Sequence, residues 1–133
     1  MTFEVFMGIE CRTDVLGGKP IIAGTRIPVW QILHSLFSGE SPPDITAQFD
    51  ELELQDISNA VEFAEMALSG GMKHPSLRLT ASEREWLLAT LGLVSNTENK
   101  RERGKIAASN DDAKTSVSKL INYFDRPWIP VRA

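Results

Sequence analysis

Apolar residues recur along the chain with two different periods, and the change of period divides it. Through residue 28 the pattern is extended and rich in turns. Two short runs, 20–23 and 26–29, flank Gly24 and Thr25, where a glycine supplies the positive φ that a tight turn needs. Pro20 and Pro28 bar a central ladder at those points. The expectation for 1–28 is a small β-hairpin arm.

From Val29 onward the spacing becomes helical. Val29, Ile32, Leu33, Leu36 and Phe37 fall at i, i+3, i+4, i+7 and i+8, one face of a helix that Gly39 stops. Ser41, Pro42 and Asp44 then give a cap, a first-turn proline and a first-turn acid. They open a short helix over 42–50 that carries Ile45 and Phe49. A longer helix over 54–69 keeps Ile57, Ala60, Val61, Ala64 and Leu68 in register and ends at Gly70 and Gly71. Three helices, the middle one short, make a trihelical unit over 29–71.

The remainder is sparser. Thr80 and Glu83 form a capping box that opens a fourth helix to residue 91, within a segment 72–94. Trp86, Leu87 and Leu91 are its expected buried set, and Gly92 its expected stop. Residues 95–112 hold almost no core-forming side chain and suggest a polar linker. A last helix over 113–124 aligns Val117, Leu120, Ile121 and Phe124 in one stripe, followed by Trp128 and Ile129 in the tail to 133. The expected class is therefore mainly α: a trihelical domain preceded by a β-hairpin arm, with extra C-terminal helices.

Charge adds an asymmetry. The 133 residues carry 14 basic and 18 acidic side chains, a net of −4, which excludes a general basic coat for nucleic acid but not a local basic patch. Residues 1–70 hold only Arg12, Lys19 and Arg26 against eleven acids, a net of −8; residues 71–133 carry +4. The only dense basic stretch, 100–105, either touches a polyanion or is a solvated linker. A single cysteine, Cys11, excludes an internal disulfide framework and a cysteine-based zinc site. No run is long enough to span a bilayer, and the first dozen residues lack the basic start and apolar core of an export signal, so the expected location is the cytoplasm, with no membrane partner.

Catalysis finds little support. Cys11 has no evident base, since His34 lies on the polar side of the first helix and His74 precedes Pro75. Asp44, Asp50, Glu51, Glu53 and Asp56 are dense enough for Mg²⁺ in principle, yet caps and a solvated helix start account for them better. No catalytic residue, metal ligand or cofactor is expected.

The run Gly18, Lys19 and Pro20, then Gly24, Thr25, Arg26, Ile27, Pro28 and Val29, then Gly39, Ser41 and Pro42, then Leu52, Asp56 and Ile57 resembles the domain-of-unknown-function family 433 over residues 12–68. One departure is Glu53, where the family pattern has a capping Thr. The resemblance implies a homeodomain-like helix-turn-helix and an antitoxin of a type II toxin–antitoxin pair. Such a protein neutralises a PIN-like nuclease by binding it and takes part in transcription regulation by binding operator DNA as a homodimer.

In a helix-turn-helix the second helix of the motif presents its N-terminal residues to base edges, where Gln and Asn match adenine and Ser is versatile. The third helix offers Gln55, Ser58 and Asn59, read as outward-facing with Glu62 and Glu65. The arm offers Lys19, Thr25 and Arg26. Against DNA contact stand Asp56, Glu62 and Glu65, which would meet phosphate, and the acids around Arg26, which could pair with it internally. A free strand edge on the hairpin would let two arms pair across a two-fold axis. For protein partners, Val117, Leu120, Ile121, Phe124 and Trp128 form an amphipathic face that either docks into a toxin groove or folds back on the chain's own core. The competing reading is a protein-interaction or assembly module that uses the same fold without DNA.

Overall fold

A computed structural model describes residues 2–69, 79–94, 111–126 and 128 of the chain. Its N-terminal part is a three-stranded antiparallel sheet in the order β1 (Thr2–Phe6), β2 (Ile9–Arg12), β3 (Pro20–Ile22). The β1–β2 hairpin turns through Met7 and Gly8, and its register slips between Glu4 and Phe6. That slip is why the strand alternation is hard to see in the sequence. β2 pairs with β3 through Ile9–Ile22 and Cys11–Pro20, and β3 is backed by an Ile21–Pro28 bridge. The expected pairing of 20–23 with 26–29 is thus reduced to one bridge, and the free strand edge lies on β1.

Among the described residues five helices follow: α1 (Val29–Phe37), α2 (Pro42–Gln48), α3 (Leu54–Leu68), α4 (Ala81–Val94) and α5 (Asp111–Phe124). The protein is mainly helical, as its periodicity predicts. Ser41 caps α2 reciprocally with Asp44, at 3.2 and 3.1 Å. At α3 the missing Thr cap is offset by Asp56, whose carboxylate accepts the Glu53 N–H at 2.8 Å. The Thr80–Glu83 box forms at both of its bonds. Where Gly92 was the expected stop, α4 runs two residues further. A mid-helix glycine costs about 1 kcal/mol, and a helix already anchored by the buried Leu87 and Leu91 can absorb that.

The sheet does not stand off as an arm. Ile9, Cys11 and Ile22 are fully or almost fully buried and join Val29, Ile32, Leu33 and Leu36 of α1 and Ile57, Phe63 and Leu68 of α3 in one core. α4 and α5 close that core, α4 with Leu87 and Leu91, α5 with Leu120 and Phe124. Phe63 sits at the centre of an aromatic cluster, its ring centroid 5.7 Å from Phe6, 5.1 Å from Phe124 and 5.2 Å from Trp128. Two side chains tie the ends together. Arg84 donates to the Leu68 carbonyl at the end of α3, at 2.6 Å, and Lys119 of α5 pairs with Glu83 of α4 at 2.9 Å.

This packing settles the alternatives for the C-terminal stripe. Leu120, Phe124 and Trp128 are buried and Val117 and Ile121 half-buried, all against the chain's own core, so they are not a face held out for a partner. The reason is aromatic: Phe63 on α3 needs cover, and Phe124 and Trp128 supply it. The Trp128 N–H donates to the Gly18 carbonyl at 2.8 Å and its indole to the Tyr123 carbonyl at 3.2 Å. The greater part of the expected linker, residues 95–110, with its basic stretch 100–105, and also Gly70, Gly71, His74 and Ile129, lie outside the described residues.

Candidate functional site

Six residues were expected to meet DNA, and the fold divides them. Lys19 is committed within the chain, its ammonium 2.7 Å from Asp125 just beyond α5. Thr25 spends its hydroxyl on the turn, donating to the Ile22 carbonyl at 2.9 Å and accepting the Ile27 N–H at 3.0 Å. Asn59 is buried, with only 8% of its surface exposed, because the β1–β2 turn lies over the first half of α3. There it accepts from Gln55 at 3.0 Å, and its side chain lies against Gly8. Asn59 is therefore a correction to the expected outward-facing set, while Lys19 and Thr25 are engaged within the chain. Gln55, Ser58 and Arg26 stay exposed.

What α3 presents outward follows from the residues its core stripe leaves over. Leu54, Gln55, Ser58, Glu62 and Met66 are exposed and Glu65 half-exposed, within one arc of about a third of the helix circumference at roughly 100° per residue. That face contains no basic side chain. It carries two acids and two large apolar residues, Leu54 at 54% and Met66 at 41% exposure. Sequence reasoning passed over both apolar residues because it followed the buried stripe. The signal was available: an apolar residue on the polar side of an amphipathic helix has no core to enter.

A second feature lies between the loop that precedes α1 and the turn that precedes α3. Arg12, Val15, Gly24, Thr25, Arg26 and Glu51 line a shallow polar depression there. The Gly24 N–H donates to Glu10 at 3.0 Å, which with the Thr25 bonds fixes the loop. Arg12 reaches Asp14 at 3.5 Å, and its Nε is buried without a hydrogen-bond partner among the described residues. The Asp14 carboxyl is held below its usual range, first by a backbone hydrogen bond and then by Arg12.

Cys11 is a free thiol buried in the core. Burial pushes its thiol up to about 12, against which a backbone hydrogen bond from Trp128 works only in part. Asp44 and Asp56, two of the acids that might have held Mg²⁺, are engaged as caps. Among the described residues no group of three or more His, Cys, Asp or Glu comes together as a metal site, and no helix is long and apolar enough to cross a membrane.

Residues 9–64, from β2 into α3, match the model of a family described as a protein of unknown function (DUF433). The sheet edge β1 and the helices α4 and α5 lie outside that match. An uncharacterized protein, y4eO, of Sinorhizobium fredii (strain NBRC 101917 / NGR234) is 32% identical over 57 residues, which make up 43% of this chain and 26% of that protein. The chain thus spans about a quarter of the length of this curated relative. No solved structure gives a significant match.

Proposed function

From residues 9–64, a segment of the DUF433 family of unknown function, we propose that this chain is an antitoxin-like binding protein that occludes a PIN-like nuclease stoichiometrically in the cytoplasm. The observation that supports the reading most is the outward face of α3, acidic and partly apolar, in a chain half of net −8. A nuclease must attract a polyanion, so its substrate groove is electropositive, and an acidic protein surface complements it. Leu54 and Met66 add apolar anchors at the two ends of that face; Met in particular adapts to an irregular surface. The C-terminal stripe does not serve as the docking element in this reading, since its largest side chains are already covered.

Operator binding ranks second. Gln55, Ser58 and Arg26 remain available for it, but a DNA-reading helix without a cation gives up the phosphate contacts that supply most of the affinity. A dimer on the exposed edge of β1 would double the few cations available. The reading that competes outright is an assembly module that binds a protein partner without inhibiting any enzyme.

The test is co-expression with a PIN-like nuclease encoded beside this chain. The expected result is a complex of fixed stoichiometry in which RNA cleavage is suppressed. Co-purification with full nuclease activity would favour the assembly module, and no complex would end the antitoxin reading. A DNA shift that collapses steeply with added salt would move operator binding to first place.

A further inference from the structure

We propose that the depression between Arg12 and Arg26 is an oxyanion site that takes a phosphate group. Residues 1–70 possess three cations against eleven acids. Lys19 is paired with Asp125, Arg12 has Asp14 at 3.5 Å, and Arg12 and Arg26 both line this one depression. Two like charges around a common space repel, and Glu51 in the lining and Asp14 on Arg12 offset that repulsion only in part.

Each guanidinium has hydrogen-bonding capacity left over among the described residues. The Arg12 Nε has no hydrogen-bond partner among the described residues, and the Asp14 oxygen 3.5 Å away is too distant for a strong charge-assisted bond. Arg26 is exposed and forms no ion pair among the described residues. Glu51 lines the same depression, yet it pairs with neither arginine among those residues. The wall is firm, because Thr25 is bonded on both sides and Gly24 is held by Glu10. It is also open: a Cβ added to Gly24 would meet nothing within 4 Å.

The chemistry selects the ligand class. Each guanidinium is a planar fork that binds two oxygens of one anion. A phosphate has oxygens enough to engage both forks at once, while the carboxylates of Glu51, Glu10 and Asp14 nearby oppose its charge and limit its affinity. A carboxylate, with two oxygens to share, holds both forks less fully than a phosphate does. The phosphate can belong to a nucleic-acid backbone or to a small phosphorylated molecule. The inference does not rest on the nuclease-binding reading.

The test is titration of inorganic phosphate, and separately of a short DNA duplex, into the full chain, followed by the amide signals of Gly24 and Thr25 and the Arg Nε–H signals. Saturable shifts confined to these groups are expected, with Arg26→Ala weakening binding about tenfold. Arg12→Lys, which keeps the charge and removes the fork, should weaken it as well, and Glu51→Gln should tighten it several-fold, all at unchanged melting temperature. Saturation by phosphate alone identifies a small ligand. Saturation by duplex alone, lost in Arg26→Ala, identifies a backbone phosphate. The proposal is overturned if neither probe shifts these signals, if chloride at equal ionic strength shifts them equally, or if Arg26→Ala binds as well as the parent chain.

Discussion

Gly8 and Asn59 show how a single position carries the fold. Gly8 has φ +77°, and a Cβ on it would come within 2.4 Å of the Asn59 amide nitrogen. Glycine alone meets both conditions, so the β1–β2 turn can lie directly on α3. Gly8→Ala is therefore expected to cost about 1–3 kcal/mol, the scale of a backbone forced out of its preferred region, read as a lower denaturation midpoint with unchanged slope. A variant as stable as the parent chain would show that the turn does not rest on α3. Asn59 was invisible as a core residue for a related reason. Its type and spacing fit a solvated face, and only the β1–β2 turn that lies over it makes it internal, where its amide oxygen accepts from Gln55 of the same helix.

Among the elements, the helices were legible nearly to their ends, and the sheet only as an N-terminal β region whose strand pairing stayed hidden. Helical periodicity and local caps fix α1, α2 and α3 within a residue or two, because both signals lie inside one short stretch of chain. The strand pairing of 2–6 with 9–12 depends on partners and on a register slip that no local period reveals. Between elements, Glu83 serves twice, as cap of α4 and as ion-pair partner of α5. The Thr80 N–H foremost, then Lys119, holds its carboxyl down to about 2 from an ordinary 4.5. A depressed carboxyl stabilises the folded state above the unfolded value, and that contribution drains away as pH falls from about 4.5 to 2. Glu83→Gln should flatten this part of the acid limb in melting curves taken across that range. An unaltered acid limb would mean that the α4–α5 staple adds nothing to stability.

At the scale of the whole molecule, two further helices complete a core that the family-like segment leaves unfinished. Phe63 lies within residues 9–64, but Phe124 and Trp128, which cover it, do not. The sequence displays the amphipathic stripe of α5 without saying what it meets, since an apolar face looks the same whether its cover is internal or foreign. Trp128 is 3% exposed and touches Phe63, Tyr123 and Phe124. Trp128→Ala should thus cost about 3–5 kcal/mol, the usual range for emptying such a site, measured by chemical denaturation. A loss under about 1 kcal/mol, the level of an ordinary surface change, would return the C-terminal stripe to the list of partner surfaces.

With α5 used internally, the antitoxin-like reading we propose places partner binding on the exposed face of α3. The most direct test of that proposal is the affinity of the chain for a PIN-like nuclease that co-purifies with it, compared between the parent and Glu62→Lys. Glu62 is exposed and supports nothing in the core, so the variant should keep its melting temperature while binding weakens by about tenfold or more, as expected for a reversed charge opposite a basic groove. Equal affinity in the two proteins would contradict the assignment of that face to the partner.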